Sequence, residues 1–244
     1  MKKNTIMRKL VFSIISVMIA LVSLVTSTYA WFSMNTSVSV TGIQITVESD
    51  AVYLLIGTEN DINTVQSAAV ITTPLTTTPA EARVLPAAHE DLSDADDAAD
   101  PENWYYRRGD APNASTSTKP KTVLSSANFA NYVIHKVCYI TVAVGSTPAT
   151  NLVVSEVTIT SDGTATGANA TLAPVKIVVA TSTAVAELDS EHTSSDVVLA
   201  ANIDDTTLIA VDIYLYYDGN HESVYTNNMI NLDGASIDIE FSVD

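Results

Sequence analysis

An all-β sandwich is the fold class this sequence predicts, and three observations predict it. Short runs alternate apolar and polar residues, as where Ile237, Ile239, Phe241 and Val243 are interleaved with Ser236, Asp238, Glu240 and Ser242. Helical periodicity is missing between these runs, and Asp-Gly pairs suited to tight turns punctuate them. Strands with one polar side indicate antiparallel sheets packed face to face, whereas a parallel α/β sheet would give near-continuous apolar strands separated by helices.

The first element is a leader. Lys2, Lys3, Arg8 and Lys9 precede an apolar run from Leu10 to Val25, which gives way to Thr28-Tyr29-Ala30. Charged, apolar and small-residue zones in that order form a secretory signal, so residues 1–30 are expected to be a hydrophobic signal helix. Thr28 and Ala30 supply the small side chains that a signal peptidase reads, which places the cut before Trp31. The competing expectation keeps the segment as a membrane anchor, since Leu10 to Ala30 is long enough to cross a bilayer as a helix.

Residues 31–244 read as a single β-sandwich domain. Val38 and Val40 share one strand face, and after Thr41-Gly42 the apolar parity passes to Ile43, Ile45 and Val47, which suggests a β-bulge at the glycine. Ala51 to Ile56 forms another short strand. From Thr58 to about Asn128 the alternation fades into Thr-, Pro-, Ala- and Asp-rich text. This long insertion is expected to hold loops with short strands or one helical turn, part of it packing as a lid or as an irregular sheet edge. Strands return at Tyr132 to Val144, Asn151 to Thr160, Pro174 to Ala180, Thr206 to Tyr217 and Ala235 to Val243. In the fourth of these, Ile209, Val211, Ile213, Leu215 and Tyr217 share a dry face, and the opposite face is expected to be wet. Asp162-Gly163 and Asp218-Gly219-Asn220 provide turns whose glycines tolerate positive φ.

Apolar residues make up 47% of the chain and charged residues 16%, the balance of a folded globule and not of a disordered tail. The 28 acidic residues against 11 basic ones give a net charge of -17. Removing the leader takes away four basic and no acidic residues, leaving 7 against 28 and a charge of -21. No nucleic acid is expected as a partner, because a phosphate backbone is bound by clustered Lys and Arg. The single Cys138 rules out an internal disulfide, and its strand places it beside Ile134, Ile140 and Val142 as a small buried hydrophobe.

The sequence contains no Gly-x-Ser-x-Gly, HExxH, phosphate-binding glycine loop or Cys-x-x-Cys pair, so no enzyme is expected. His89, His135, His192 and His221 stand singly, whereas a zinc site shows a close pair. Asp94, Asp96, Asp97, Asp100 and Glu102 form the one set dense enough for calcium, a cation that collects several oxygens from closely spaced carboxylates. Their spacing departs from an EF-hand loop and lacks its glycine, so a solvated acidic loop is the leading expectation and calcium the alternative. Arg108-Gly109-Asp110 and the glycosylation-like triplets at Asn35, Asn113 and Asn169 are short enough to arise from composition alone.

Two stretches resemble a known family. Thr28-Tyr-Ala-Trp-Phe-Ser33 with Val38 to Val47, and Val211-Asp-Ile-Tyr-Leu-Tyr-Tyr-Asp-Gly-Asn220, are similar to the TasA/camelysin-like secreted proteins of Firmicutes. The resemblance spans the leader, the first strand and the last third, and touches Thr58 to Asn128 only loosely. It implies an antiparallel jelly roll, processing by a SipW-type signal peptidase, secretion to the extracellular matrix or cell surface, and self-association into biofilm matrix fibres. The metalloprotease classification of camelysin does not carry over, since no zinc-binding set matches. Cleavage would free residues 31–40 as a β-prone strand, able to add to an exposed sheet edge of another copy with Trp31, Phe32, Val38 and Val40 filling its pockets. The second class of function is an adhesin or carbohydrate-binding module for a cell-surface or glycan ligand, with Trp104-Tyr105-Tyr106 stacking on sugar rings. The same aromatics would also serve to pin the insertion to the sandwich.

Overall fold

The computed structural model describes residues 43–48, 54–71, 84–109, 115, 119–160, 173–224 and 236–243. The leader with Thr28 and Ala30, the assembly-strand candidates Trp31, Phe32, Val38 and Val40, the Gly42 bulge, the Asp162-Gly163 turn, Asp110, and Asn35, Asn113 and Asn169 lie outside them. Along the described residues run β1 (Ile43–Glu48), β2 (Leu54–Gly57), β3 (Ala68–Ile71), β4 (Pro86–His89), the helix α1 (Ala95–Ala99), β5 (Trp104–Tyr106) and β6 (Thr122–Val123). They are followed by β7 (Val133–Val142), β8 (Ala149–Thr160), β9 (Val175–Thr181), β10 (Ala184–Asp189), β11 (Ser195–Ile203), β12 (Ile209–Asp218) and β13 (Ser236–Ser242).

These strands make the two packed sheets that the alternation predicts. The first sheet has the order β11-β8-β13-β1-β3, and the second β10-β9-β12-β4-β5-β6, with β7 beside β12 and β2 beside β7. Pairing is antiparallel except at two places. β1 runs parallel to β13, from Ile43 opposite Ile237 to Glu48 opposite Ser242, and β4 runs parallel to β12 at Tyr217 and Asp218. β4 thus takes over the side of β12 that β7 occupies as far as Tyr216.

The core between the sheets follows from period-two alternation. Ile237, Ile239 and Phe241 of β13 and Leu152, Val154 and Val157 of β8 pack with Ile177 and Val179 of β9 and with Val211, Ile213, Leu215 and Tyr217 of β12. Each such side chain contributes about 1.5–3 kcal/mol on leaving water, and a one-residue slip of register would turn the whole set outward. Cys138 lies in this core opposite Val211, fully buried. Burial pushes its thiol well above the ordinary value, and the charge of Asp212 acts in the same direction. The native protein is therefore expected to resist thiol-reactive reagents and to label only in denaturant; stoichiometric labelling of folded protein would contradict this placement.

The expectation of a wet second face fails at β12. Tyr214 and Tyr216 are buried there, together with Ala87, Ala98, Trp104, Leu124, Val133, Val178 and Ala180, in a second core on the outer side of the second sheet. The insertion provides the cover: α1 packs over β9 and β12, and β5 brings Trp104 onto the same surface. A tyrosine reads as half-polar in a sequence, yet its ring buries as much apolar surface as a core residue. This part of the molecule consequently has three layers, and β4, β5 and β6 prolong the second sheet as an irregular edge.

β10 and β11 are strands that the alternation pattern does not announce. β10 returns from β9 as a hairpin, with Ala184 opposite Thr181. β11 slips its register against β8 between Ser195 and Ala200, leaving Val197 and Val198 exposed at the edge of the first sheet. A bulge at an edge strand disfavours further strand pairing there. Among the described residues no helix is long and apolar enough to cross a membrane.

Candidate functional site

The outer face of the second sheet gathers a histidine and aromatic cluster. β4, β5 and β12 bring the His89 ring to 4.9 Å from Trp104 and 5.4 Å from Tyr216, edge to face in both cases. His89 Nδ1 lies 2.6 Å from the Glu90 carbonyl oxygen and Nε2 lies 2.9 Å from the Tyr216 hydroxyl. In the neutral ring Nδ1 donates to the carbonyl and Nε2 accepts from the phenol. Burial raises the Tyr216 phenol well above its ordinary value, with the carboxylates of Asp218 and Glu187 adding to the shift. Next to it, His135 stacks flat on Tyr214 at 4.4 Å, with Nε2 2.6 Å from Asp212 Oδ1.

Trp104 is fully buried, and its Nε1 donates to the Ala98 carbonyl at 2.9 Å, which ties α1 to β5. Phe129 and Tyr216 meet its ring edge to face at 5.8 and 5.1 Å. Tyr105 is buried as well, and Tyr106 is half-buried beside Tyr132. Trp104 and Tyr105 therefore present no open platform for a sugar ring, and Trp104 and Tyr106 pack within the outer layer.

The acidic stretch is used locally. Asp94 caps α1 by accepting the Asp97 N–H at 3.0 Å, and Asp97 accepts from the Ser93 backbone at 3.2 Å and from its hydroxyl. Asp100 caps the 3-10 turn Pro101–Asn103 by accepting the Glu102 N–H at 2.9 Å. Asp96 and Glu102 face solvent. Among the described residues no three or more His, Cys, Asp or Glu side chains are arranged to hold a metal ion.

Where β12 ends, a basic edge forms. Of the seven Lys and Arg that follow residue 30, four meet here: Arg107, Arg108, Lys119 and Lys121. Lys121 Nζ sits 4.3 Å above the Tyr105 ring centre and Arg107 Cζ 5.3 Å from it, while Arg108 Cζ is 5.7 Å from the Tyr106 ring. Arg107 Nη1 donates to Asn220 Oδ1 at 3.1 Å. Lys119 is buried, and its ammonium donates to the carbonyls of Gly219 at 2.9 Å and His221 at 2.6 Å. Burial lowers its pKa, against the pull of Asp218. Lys121 also pairs with Glu90, and that bond holds the Glu90 carboxyl below its usual range. The grouping is hidden in the sequence because ten residues lie between the Arg107-Arg108 pair and Lys119. The available signal is that most of the body's few cations fall within residues 107–121.

Gly219 serves this edge in a way the turn signature does not reveal. Its φ lies outside the left-handed range, so positive φ is not the reason for glycine here. A Cβ at this position would lie 2.0 Å from the Arg107 carbonyl oxygen, while the Gly219 N–H donates to the Ala87 carbonyl at 2.7 Å. Close approach of two backbones is what demands the missing side chain.

The β9–β10 hairpin carries a partly buried ion pair. Lys176 stands opposite Asp189 and contacts its carboxylate, which also accepts the N–H groups of Glu191 and His192 at 2.7 Å each. Burial opposes ionisation of Asp189, but the Lys176 bond and the two backbone donors outweigh it and hold the carboxyl far below the ordinary range. A depressed folded pKa gives stability that is present above the unfolded value of about 3.9 and lost as pH falls below it. The denaturation midpoint is expected to drop with acid over that window more steeply in the wild type than in Asp189→Asn; equal slopes would remove the pair from the account.

On the outer face of the first sheet, Glu156 of β8 stands directly opposite Glu240 of β13, with Asp238 two residues away on the same face. Burial raises the Asp238 carboxyl above its ordinary value. No salt bridge among the described residues reaches any of these three. No family model, no curated protein and no solved structure matches this chain.

Proposed function

We propose that this chain is an exported, non-catalytic architectural protein of the cell surface or extracellular matrix, of the TasA/camelysin kind. A SipW-type signal peptidase releases it, and copies then associate into fibres by adding the segment that precedes β1 to a neighbour's sheet. The observation that supports this reading most is the position of β1, between β13 and β3 in the interior of the first sheet and parallel to β13. Backbone hydrogen bonds on both sides hold such a strand, and the same bonds form whether it enters its own sheet or that of another copy. Trp31, Phe32, Val38 and Val40 precede it in the chain and would supply the added segment with apolar anchors.

The test is to express the full chain in a secreting Gram-positive host and to inspect the exported product by electron microscopy and sedimentation. Filaments are expected, in greater yield with added salt or mild acid, because a charge of -21 repels copies at low ionic strength. Single monodisperse copies under every condition would overturn the proposal. Glycan recognition through Trp104 forms no part of it, since that ring is enclosed by the outer layer.

A further inference from the structure

We propose that the basic edge of the second sheet, Arg107, Arg108 and Lys121 around Tyr105 and Tyr106, docks onto the acidic outer face of the first sheet of a second copy of this chain, joining copies head to tail. This rests on the self-association reading above and names its contact surfaces.

Outside the basic edge only three Lys or Arg follow residue 30, whereas the same stretch carries 28 acidic residues. Glu90 lies close to Lys121 and Arg107, and Asp218 close to Lys119, so two carboxylates stand against these three cations and Arg108 beside them. In a field so negative, an island of positive charge is the surface that a like copy is steered towards.

The edge is also built to bind. Among the described residues β6 has β5 on one side and no strand on the other, Val123 is 52% exposed, and the Lys121 side chain is 41% exposed. Tyr105 stands opposite Val123, so the ring, the valine and the overlying cations share one face. Guanidinium and ammonium groups laid over tyrosines have less freedom left to lose on binding than groups projecting into water. Arginine is also among the side chains that anchor protein interfaces, and the buried Tyr105 ring fixes the cations above it.

The complement is on the same chain. Glu156 and Glu240 face each other across β8 and β13, a like-charge pair that costs stability in an isolated copy, and Asp238 adds a third carboxylate to the same face. Incoming cations relieve that repulsion. The two surfaces belong to different sheets, so one copy cannot join them within itself; the contact is heterologous and extends copy by copy into an open chain.

Charge exchange tests this on the exported full-length product, with self-association followed by sedimentation and light scattering at about 0.15 M salt, where screening extends over roughly 8 Å and contact pairs outweigh net charge. Arg108→Glu with Lys121→Glu, and separately Glu156→Lys with Glu240→Lys, are each expected to weaken association at least about tenfold while far-UV circular dichroism stays that of the wild type. Mixing the two variants is expected to restore association, because each then offers the face the other lacks. If either reversal unfolds the chain, the milder Arg108→Gln with Lys121→Gln is expected to weaken association by a smaller factor. Wild-type association that neither the reversals nor the glutamine variant alters would overturn these surfaces and leave the self-association reading standing. A wild-type product that never associates would overturn both. Loss of binding to polygalacturonate in the basic-edge variant with self-association intact would make the edge a polyanion site and also overturn the proposal.

Discussion

Replacing Trp104 with alanine is expected to lower folding stability by about 3–5 kcal/mol, the range for removing a fully buried aromatic side chain. The indole is enclosed by His89, Phe129, Tyr214 and Tyr216, and its N–H is the bond that fastens α1 through the Ala98 carbonyl. The substitution therefore opens a cavity and also leaves the Ala98 carbonyl without that donor. Because α1 is only five residues long, it has little helical stability of its own and depends on this packing. Loss of the outer layer would bare Tyr214 and Tyr216 while the core between the sheets stays whole. Urea denaturation should show the fall in midpoint, and hydrogen exchange should show β4, α1 and β5 losing protection before β7, β8 and β13. A Trp104→Ala protein as stable as the wild type would mean that the second core is not a packed layer.

Gly219→Ala is the second large effect, with an expected cost of about 3 kcal/mol or more, at the upper end for overpacking. The added methyl would meet the Arg107 carbonyl oxygen at 2.0 Å and its carbon at 2.8 Å, both backbone atoms that no rotamer change can move aside. Relief requires separating the β12 turn from the strand end after β5. That disturbs the Gly219 to Ala87 hydrogen bond and the Lys119 ammonium held by the Gly219 carbonyl. A lowered melting temperature, together with weakened association of copies, is the expected pair of readings. Wild-type behaviour in both would show that the two backbones do not meet as described.

How much of this was legible in the sequence depends on where the physical signal is local. The Ile237 to Val243 alternation and the Val211 to Tyr217 face translate directly into β13 and β12, since period two needs no knowledge of the partner strand. The dryness of Tyr214 and Tyr216 was hidden, because it depends on a cover supplied from more than a hundred residues earlier in the chain. β10 and β11 escaped for a related reason: Ala184 to Asp189 contains Ala and Glu where a strong strand shows branched residues, and the bulge in β11 breaks its alternation. Asp94 and Asp100 look like ligands in a row of carboxylates, and only the backbone reveals them as caps. The basic edge was the least visible feature, since its members are unremarkable singly and meet only when β5, β6 and the end of β12 converge.

The parallel pairing of β1 with β13 bears on how the polypeptide reaches its native state. The earliest described strand waits for the latest one, so the ladder that completes the first sheet closes a loop spanning almost the entire body. Ring closure over such a distance is entropically slow, and contact order of this kind delays folding. On the export proposed above, a polypeptide threaded through a translocation channel from its amino end would remain slack until its final segment emerged, and it would then condense on the far side of the barrier.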